Sequence, residues 1–322
     1  MTASNTDPVQ LLGGPPRPRD RRIPADALPT EQPGGVATLL APHQGSVPIT
    51  STRRPSLIGI VNITADSFSD GGAYLRADDA LAHARRLHAA GADIIDLGPS
   101  ASHPGSATVT PYEEIARLTG VIDHLVAEGI PVSVDSYHPE TQRFAAAHGA
   151  AFLNDIQGFP DPRTYEELAG YPCRLVVMHS VQRRGSATKV RTDPHAVWSG
   201  IERFFDDRLA ALEAAGIGRE RLIVDPGLGY FLGSDPAPSV TVMARLGELR
   251  ARFGVPVLAS PSRKSFLRAL TGSDLARIGP ATLAAEIYAA GRGVDFIRTH
   301  DVSAIRDALT VIDALTSGET DG

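Results

Sequence analysis

The sequence has only one cysteine, Cys173, and it lies in an apolar stretch. An intrachain disulfide is therefore impossible, which fits a reducing cytoplasm, and we expect Cys173 to be a small core residue. No apolar run reaches the roughly 18 residues of a membrane helix, and the N-terminus lacks a basic start followed by an apolar core. These absences predict a cytoplasmic protein that is neither secreted nor inserted in a membrane.

An excess of charge of either sign is also missing. The net charge of the 322 residues is −6, and the basic side chains are dispersed along the chain. A nucleic-acid interface or an anionic lipid surface requires clustered lysine and arginine. We therefore expect small-molecule ligands, with no nucleic acid and no membrane as partners.

Several catalytic motifs are absent as well. The chain has no HExxH, GxSxG, GxGxxG or Walker sequence, which argues against zinc hydrolases, serine hydrolases, dinucleotide oxidoreductases and P-loop enzymes. No nucleophile with a neighbouring base stands out. This favours a transferase that works by orienting its substrates and stabilising a leaving group.

The N-terminal segment differs in composition from the rest of the chain. Residues 1–55 hold 10 of the 25 prolines, few aromatic residues and no sustained periodicity. Such a segment buries too little apolar area to offset its chain entropy, so we predict a disordered extension with a solvated arginine cluster. We assign residues 56–317 to one folded domain and residues 318–322 to a disordered tail.

From residue 57 onward, short apolar runs alternate with longer stretches typical of amphipathic helices. Eight strand–helix units over 261 residues match the usual size, about 250 residues, of a (β/α)8 TIM barrel. A doubly wound open sheet is the alternative fold. The predicted strands are 57–62, 92–97, 131–135, 151–155, 173–178, 221–225, 255–259 and 294–299, and the predicted helices are 76–90, 111–128, 138–148, 161–170, 195–216, 238–253, 279–291 and 301–317.

Each predicted strand ends in or leads into polar side chains. Taken singly, such a residue is most simply a helix cap, as Asp135, Ser136 and Asp301 would be. Taken together, they would line a cup at the carboxyl end of a barrel, where ligands bind, and capping does not call for Asn, Lys or Arg there. The residues at these ends are Asn62, Asp96, Asp135, Asn154, Met178, His179, Asp225, Ser262, Arg263, Lys264, Arg298 and His300.

The residue types at these ends indicate a flat ligand. Asp135, Asn154 and Asp225 supply donors and acceptors that suit the edge of a buried heterocycle. Arg298 can lie against such a ring, because guanidinium planes stack on π-systems. A buried heterocycle is therefore expected in the cup.

Basic residues surround the same opening and suit a phosphate or diphosphate. The alternative is that they form ion pairs with nearby carboxylates. The basic residues are Arg263, Lys264, Arg298 and His300, and the carboxylates are Asp96, Asp225 and Asp301.

These motifs resemble those of dihydropteroate synthase, a pterin-binding barrel of folate biosynthesis. The resemblance covers residues 57 to about 315 and implies condensation of 6-hydroxymethyl-7,8-dihydropterin diphosphate with 4-aminobenzoate, giving 7,8-dihydropteroate and diphosphate. In that family the diphosphate departs first and leaves a carbocation that the pterin stabilises. The matching segments are NITADSFSDGG (62–72), GADIIDLG (91–98), VSVDS (132–136), LNDI (153–156), VVMH (176–179), DPGLG (225–229), SRKSFL (262–267) and RTHDV (298–302).

The resemblance also implies a role for each matching residue. The pterin would contact Asp96, Asp135, Asn154, Met178, Asp225, Lys264 and Arg298, with Arg298 stacked on the ring. The diphosphate would contact Asn62, Arg298 and His300, with Asn62 acting through Mg²⁺ as the metal residue. The 4-aminobenzoate would contact Thr64, Ser102, His103, Pro104, Phe231, Ser262 and Arg263. Catalysis would depend on Asn62, Asp135, Lys264, Arg298 and His300.

Some positions depart from the common pattern of the family. His103 stands where most members have arginine, and Ala65 stands where they have proline. The loop after strand six contains Phe231 and is longer by about two residues. These departures resemble the mobile sulfonamide-resistance synthases, so we expect Phe231 to narrow the aminobenzoate end and to crowd sulfonamides, which would be weak or excluded inhibitors.

Two other functions stay open on the sequence alone. One is a methyltransferase barrel that uses methyltetrahydrofolate and a corrinoid protein, although methyl transfer has no diphosphate to occupy the SRKSFL and RTHD segments. The other is a catalytically silent paralogue, suggested by His103. The family further implies a homodimer that forms through barrel helices.

Overall fold

The computed structural model describes residues 54–63, 77–182 and 185–318. Residues 1–53 of the predicted extension, residues 319–322 of the predicted tail, and the predicted site residue Thr64 with its neighbour Ala65 lie outside this range.

Eight parallel strands form one sheet in the order β6-β5-β4-β3-β2-β1-β8-β7. Val224 on the sixth strand pairs with Val257, just before the seventh, and this bridge closes the sheet. The predicted (β/α)8 barrel is confirmed, and the open-sheet alternative is wrong. The strands are β1 (Ser56–Asn62), β2 (Ile94–Gly98), β3 (Val132–Asp135), β4 (Phe152–Asp155), β5 (Arg174–Met178), β6 (Leu222–Asp225), β7 (Leu258–Ala259) and β8 (Phe296–Thr299).

The helices follow the prediction with three differences. The predicted helix 111–128 is broken at Gly120, whose φ of 78° is not helical, and 238–253 is broken at Arg245. The helix 265–271 escaped prediction because seven residues are too few to show a helical period. The helices are α1 (Ala77–Ala89), α2 (Pro111–Leu118), α3 (Val121–Ala127), α4 (Pro139–Ala147), α5 (Tyr165–Ala169), α6 (Pro194–Ala214), α7 (Pro236–Ala244), α8 (Leu246–Phe253), α9 (Ser265–Thr271), α10 (Gly279–Gly291) and α11 (Val302–Gly318).

Side-chain caps fix where several helices begin. Thr110 and Glu113 satisfy each other's main-chain N–H groups at the start of α2. Asp301 accepts a hydrogen bond from the Ala304 N–H at the start of α11, so its predicted capping role is confirmed. Asp135, by contrast, pairs with an arginine inside the barrel, and α4, the helix that follows it, has no side-chain cap.

Strand residues alternate between two apolar environments. Outward side chains such as Ile95, Leu97 and Val134 pack against the helices in the main core. Inward side chains in the amino half of the strands fill the barrel with a second apolar cluster, made of Ile58, Ile94, Phe152, Val176, Ile223, Leu258 and Phe296. Because side chains alternate along a strand, the next inward position lies two residues nearer the carboxyl end. That position is polar after most of these residues, at Asp96, Asn154, Asp225, Ser260 and Arg298, whereas β1 has Ile60 and β5 has Met178 there.

Arg174, the first residue of β5, closes the amino end of the barrel. Its guanidinium carbon lies 5.5 Å from the ring centroid of Phe152 and 5.3 Å from that of Phe296. Both rings belong to the first residues of their strands, and they meet edge to face with centroids 6.1 Å apart. The opening of the barrel is therefore at the carboxyl ends of the strands.

Among the described helices, none is long and apolar enough to cross a membrane.

Candidate active site

The carboxyl ends of the strands place a ring of polar side chains inside the barrel, which we call the cup. Because side chains alternate along a strand, Asp96 and Asn154 point inward, two residues after Ile94 and Phe152 of the inner apolar cluster. Asp135, which pairs with Asn154, also points inward. Asp155 and Thr299 point outward. The register therefore decides which polar strand ends meet. The cup consists of Asn62, Asp96, Asp135, Asn154, Met178, Asp225, Ser260 and Arg298 from the strands and their ends, with Lys264 and His300 from the adjoining loops.

Arg298 joins two carboxylates at the base of the cup. Its Nε donates to Asp96 Oδ2 at 2.7 Å, and its Nη2 donates to Asp135 Oδ2 at 2.8 Å. Burial disfavours the charged guanidinium, but the two carboxylates outweigh it and raise the pKa of Arg298. Arg298 thus stays charged, and the ion pair with Asp96 that the sequence left as an alternative is present.

Three further groups of the cup, Asp135, Asp225 and Lys264, have pKa values near neutrality. Burial raises the pKa of Asp135 to about 7, with the Arg298 charge opposing the shift. Burial likewise raises the pKa of Asp225 to about 6, against the hydrogen bond from the Gly227 N–H. Burial and then the Arg298 charge lower the pKa of Lys264 to about 8. These groups can therefore change protonation when a ligand displaces water.

The turn after β6 requires a glycine. Gly227 has a φ of 72°, and a Cβ atom there would collide with the carbonyl oxygen of His179. The main chain can then fold back so that the Gly227 N–H donates to Asp225 Oδ1 at 2.8 Å. This contact holds the Asp225 side chain at the carboxyl end of β6.

Three inward polar atoms have no hydrogen-bond partner within the described residues. They are Asp96 Oδ1, Asn154 Oδ1 and Ser260 Oγ, and each is buried. Buried polar atoms in native proteins are nearly always paired, and leaving one unpaired costs about 1–3 kcal/mol. Their convergence on one cup indicates a polar ligand with several donors and acceptors.

His300 and Ser262 form a pair at the edge of the cup. Ser262 Oγ lies 2.9 Å from His300 Nδ1 and also accepts from the His300 main-chain N–H at 3.2 Å. Burial and then the charges of Arg263 and Arg298 lower the pKa of His300 to about 3, so the ring is neutral at pH 7. The hydroxyl hydrogen is available for Nδ1, which leaves the ring proton on Nε2 as a donor. The expectation that His300 adds positive charge is therefore wrong, because burial keeps it neutral.

Phe231 lies between the cup and the loops above it. It is 5% exposed and packs with Ile156, Met178 and Ala187. Lys264 Nζ lies 4.9 Å from the centroid of its ring. Phe231 was predicted at the aminobenzoate end. It contacts Met178 and Lys264, which were both predicted to hold the pterin.

The loop 99–109 carries three of the predicted aminobenzoate residues, Ser102, His103 and Pro104. Ser102 accepts a hydrogen bond at its carbonyl oxygen from the Ala187 N–H at 3.0 Å, and Ala187 also packs on Phe231. His103 is exposed, and its Nδ1 lies 3.1 Å from the Pro104 carbonyl oxygen. Ser102 is therefore connected to Phe231 through one residue, whereas His103 faces solvent.

Arg263 has a strained main chain. Its φ of 57° is rare for a residue with a side chain, and its N–H donates to Thr282 Oγ1 at 3.3 Å. The side chain is exposed. Such strain is often found at functional sites, and here it turns Arg263 away from the base of the cup, where Lys264 is held.

Sequence reasoning missed one polar residue of the cup, Ser260, and two carboxyl groups next to it. Ser260 follows β7 and would have been found by extending the strand alternation by one step. Glu114 on α2 and Glu286 on α10 are buried carboxyl groups on helices. Glu286 could have been found because it is the single charged residue in the apolar run ATLAAEIYAA. One charge in such a run does not form the polar face of an amphipathic helix.

Glu286 lies behind the His300 edge of the cup. It lines a cavity of about 330 Å³ together with Thr282 and His300. Its carboxyl group contacts the Thr299 hydroxyl, and Oε1 has no partner among the described residues. Burial raises the pKa of Glu286 to about 7, and the Asp301 charge adds to the shift.

Glu286→Gln should stabilise the protein above neutral pH. The pKa of Glu286 is raised on folding from about 4.5 to about 7, so its contribution is fully present below pH 4.5 and is lost as the pH rises through 7. Glutamine does not titrate, and the gain should approach about 3 kcal/mol at pH 8 and fall below about 1 kcal/mol at pH 5. Urea unfolding of both proteins at several pH values measures this difference. An equal difference at pH 5 and pH 8 would show that Glu286 titrates normally.

Asn62 is the predicted metal residue. Its side chain is exposed at the rim of the cup. No group of three or more His, Cys, Asp or Glu side chains able to hold a metal ion occurs in the part of the chain that the structure describes. Any metal at Asn62 would therefore take most of its ligands from elsewhere.

Comparison with known proteins gives consistent results. The family model described as pterin binding enzyme matches residues 58–300. The chain is 56% identical over 259 residues to the dihydropteroate synthase type-2 of Escherichia coli and 51% identical over 260 residues to the type-3 synthase of that organism, covering 80% of this chain and 95% and 98% of those proteins. It is also similar to the structure of Xanthomonas albilineans dihydropteroate synthase with 4-aminobenzoic acid, with a TM-score of 0.73, 40% identity, and coverage of 82% of this chain and 94% of that one.

Proposed function

The chain belongs to the pterin-binding enzyme family as a dihydropteroate synthase, and on that premise we propose how its cup divides between the two substrates. The enzyme condenses 6-hydroxymethyl-7,8-dihydropterin diphosphate with 4-aminobenzoate and releases diphosphate. The methyltransferase and the silent paralogue are not favoured.

The base of the cup binds the pterin. The observation that carries this assignment is the pair of unpartnered buried acceptors, Asp96 Oδ1 and Asn154 Oδ1, which suit the N–H groups of a heterocycle. Arg298 is held by carboxylates on both sides, and this fixes the plane of its guanidinium for stacking against the ring. The remaining pterin contacts are Asp135, Met178, Asp225 and Lys264.

The diphosphate binds at the edge of the cup beside His300. A neutral His300 donates from Nε2 without requiring a proton from solvent, and Arg298 supplies a permanent positive charge. These two groups stabilise the leaving group as the C–O bond breaks. The C–N bond to the aryl amine then forms, and the amine gives up one proton, so no protein nucleophile is needed.

Asn62 fits a magnesium ion that arrives with the diphosphate. Mg²⁺ binds oxygen ligands and usually keeps several waters beside one or two protein groups and substrate phosphates. The single amide oxygen of Asn62 at the rim matches that pattern. When bound, the ion would neutralise charge on the departing diphosphate.

The aminobenzoate lies between the cup and the loops above it. The proposed contacts are Ser102, His103, Pro104, Phe231, Ser262 and Arg263, together with Thr64, which lies outside the described residues. Phe231 sets the width of this space, because its ring is held from below by Met178 and from the side by Lys264. We assign the discrimination against bulkier sulfonamides to this ring.

Diphosphate release by the purified chain tests the proposed function. Release should require both substrates, and 7,8-dihydropteroate should appear in equal amount. Omission of 4-aminobenzoate should leave only slow background hydrolysis. Release at the same rate without 4-aminobenzoate, or no product at all, would contradict the assignment.

We further propose a cytoplasmic homodimer. Helices α10 and α11 pack together and expose three large apolar side chains, Tyr288, Val311 and Leu315, which a second copy would cover. Sedimentation should give about twice the chain mass of 34.0 kDa. Sedimentation as a monomer at micromolar concentration would rule this out.

A further inference from the structure

A completely buried carboxylate lies just behind the cup. Glu114 on α2 accepts a hydrogen bond at Oε1 from Ser100 Oγ at 2.7 Å and at Oε2 from Ser136 Oγ at 2.5 Å. Ser100 begins the loop after β2, and Ser136 directly follows Asp135 at the end of β3. One side chain on a helix thus connects the carboxyl ends of two neighbouring strands.

The same network extends to a third strand through Gln142 on α4. Its Nε2 donates to the Ser136 carbonyl oxygen at 2.8 Å and to Asp155 Oδ2 at 2.9 Å. Asp155 directly follows Asn154. We call Ser100, Glu114, Ser136, Gln142 and Asp155 the polar belt. Two of its members adjoin proposed pterin residues in the chain, and alternation places them outside the strands while Asp135 and Asn154 point inward.

Helix α2 also holds the base of the loop 99–109 by its main chain. Arg117 Nη1 donates to the Pro99 carbonyl oxygen at 2.5 Å, one residue before Ser100. Ser102, His103 and Pro104 follow within the next few residues. The position of this loop relative to the cup therefore depends on α2.

The chemistry of the belt favours a fixed geometry. A buried carboxylate is strongly disfavoured unless hydrogen bonds satisfy its oxygens, and Glu114 has one hydroxyl donor on each oxygen. Moving Ser100 away would leave one oxygen of a buried charge unpaired. Apolar residues in place of Ser100 and Ser136 could also pack there. They would not fix the orientation of the loop at Ser100 or of the chain at Ser136, because they have no hydroxyl to donate to Glu114.

We propose that Glu114 is a positioning residue that fixes the aminobenzoate loop, through Ser100, to the pterin side of the cup, through Ser136. The proposal rests on the division of the cup stated under the proposed function. Glu114 touches neither substrate. It acts on the aminobenzoate loop through Ser100 and on the pterin side through Ser136. Substituting one serine at a time therefore separates its effect on aminobenzoate binding from its effect on pterin binding.

Ser100→Ala tests the loop side. Loss of one hydrogen bond to a buried charge should raise the KM for 4-aminobenzoate about tenfold, while the Kd for the dihydropterin diphosphate alone, measured by calorimetry, changes less than about twofold. Ser100→Thr keeps the hydroxyl and should restore the KM, which a merely structural role would not predict. An unchanged KM in Ser100→Ala, or a failure of threonine to restore it, would overturn the proposal.

Ser136→Ala and Glu114→Leu complete the test. Ser136→Ala should weaken pterin diphosphate binding about tenfold, and Glu114→Leu, which removes both acceptor oxygens at similar side-chain size, should impair both substrates. Equal loss of kcat with unchanged KM and Kd in all three variants would overturn the proposal. Absence of turnover in the wild type would overturn the proposed function itself, whereas normal wild-type turnover with an unaffected Ser100→Ala variant would overturn only the role of Glu114.

Discussion

Arg298→Lys should lower kcat/KM by about 10³-fold, because it removes two charge-assisted hydrogen bonds worth about 2 kcal/mol each. Lysine keeps the charge, but one ammonium group cannot reproduce the planar bridge from Asp96 to Asp135. One of the two buried carboxylates then loses its partner, and breaking a buried pair costs about 3–5 kcal/mol of stability. Steady-state kinetics with varied dihydropterin diphosphate and urea unfolding measure the two effects.

Arg250→Lys is the matched control for this variant. Arg250 on α8 pairs with the buried Asp295, whose Oδ2 also accepts from the Val257 N–H at 2.9 Å, just before β7. This pair lies at the amino side of the barrel, away from the cup. The control should lose stability and retain kcat/KM. If Arg298→Lys retained more than a tenth of the wild-type kcat/KM, the guanidinium bridge would not be needed for the reaction.

Phe231→Ala should make the enzyme sensitive to sulfamethoxazole. Removing the ring frees space between Met178 and Lys264, into which the nitrogen substituent of a sulfonamide can extend beyond the position of the substrate carboxylate. Loss of a steric clash of about 2–3 kcal/mol would lower the inhibition constant about 30- to 140-fold, since each 1.4 kcal/mol is tenfold. Inhibition constants from competition with 4-aminobenzoate measure the change.

The truncation also has a stability cost, and a second variant separates it from the drug effect. A buried Phe→Ala change costs about 3–5 kcal/mol. Phe253→Ala removes a ring of similar burial at the end of α8, away from the cup, and should destabilise the protein without altering inhibition. Equal and weak inhibition of Phe231→Ala and the wild type would exclude Phe231 as the source of discrimination.

The carboxyl ends of the strands were predictable, because each short apolar run changes to polar residues close to the end of its strand. The alternation within the strands then assigns Asp96, Asp135 and Asn154 to one surface, and an ion pair of Arg298 with Asp96 was the alternative left open. The contact of Arg298 with Asp135 across the barrel could not be predicted. Asp135 lies 163 positions away in the chain, and no local pattern encodes that distance.

The residues behind the cup were harder to predict for a different reason. Glu114 and Glu286 lie on helices, where a glutamate is ordinarily a solvated residue and a good helix former. Their burial results from packing against distant strands, so it becomes visible only in three dimensions. The neutrality of His300 has the same origin, because burial and the neighbouring charges of Arg263 and Arg298 determine its pKa.

The closed amino end of the barrel determines how molecules pass through the site. Arg174 covers the amino end of the barrel by lying against the rings of Phe152 and Phe296, which belong to the inner apolar cluster. Both substrates must then enter, and both products must leave, through the same opening at the carboxyl ends. On the proposed division of the cup, the dihydropterin diphosphate at the base would have to arrive before the 4-aminobenzoate above it, and after condensation the two would leave as one molecule. By covering the amino end, Arg174 would thus set the order in which the substrates arrive for a reaction at the opposite end of the strands.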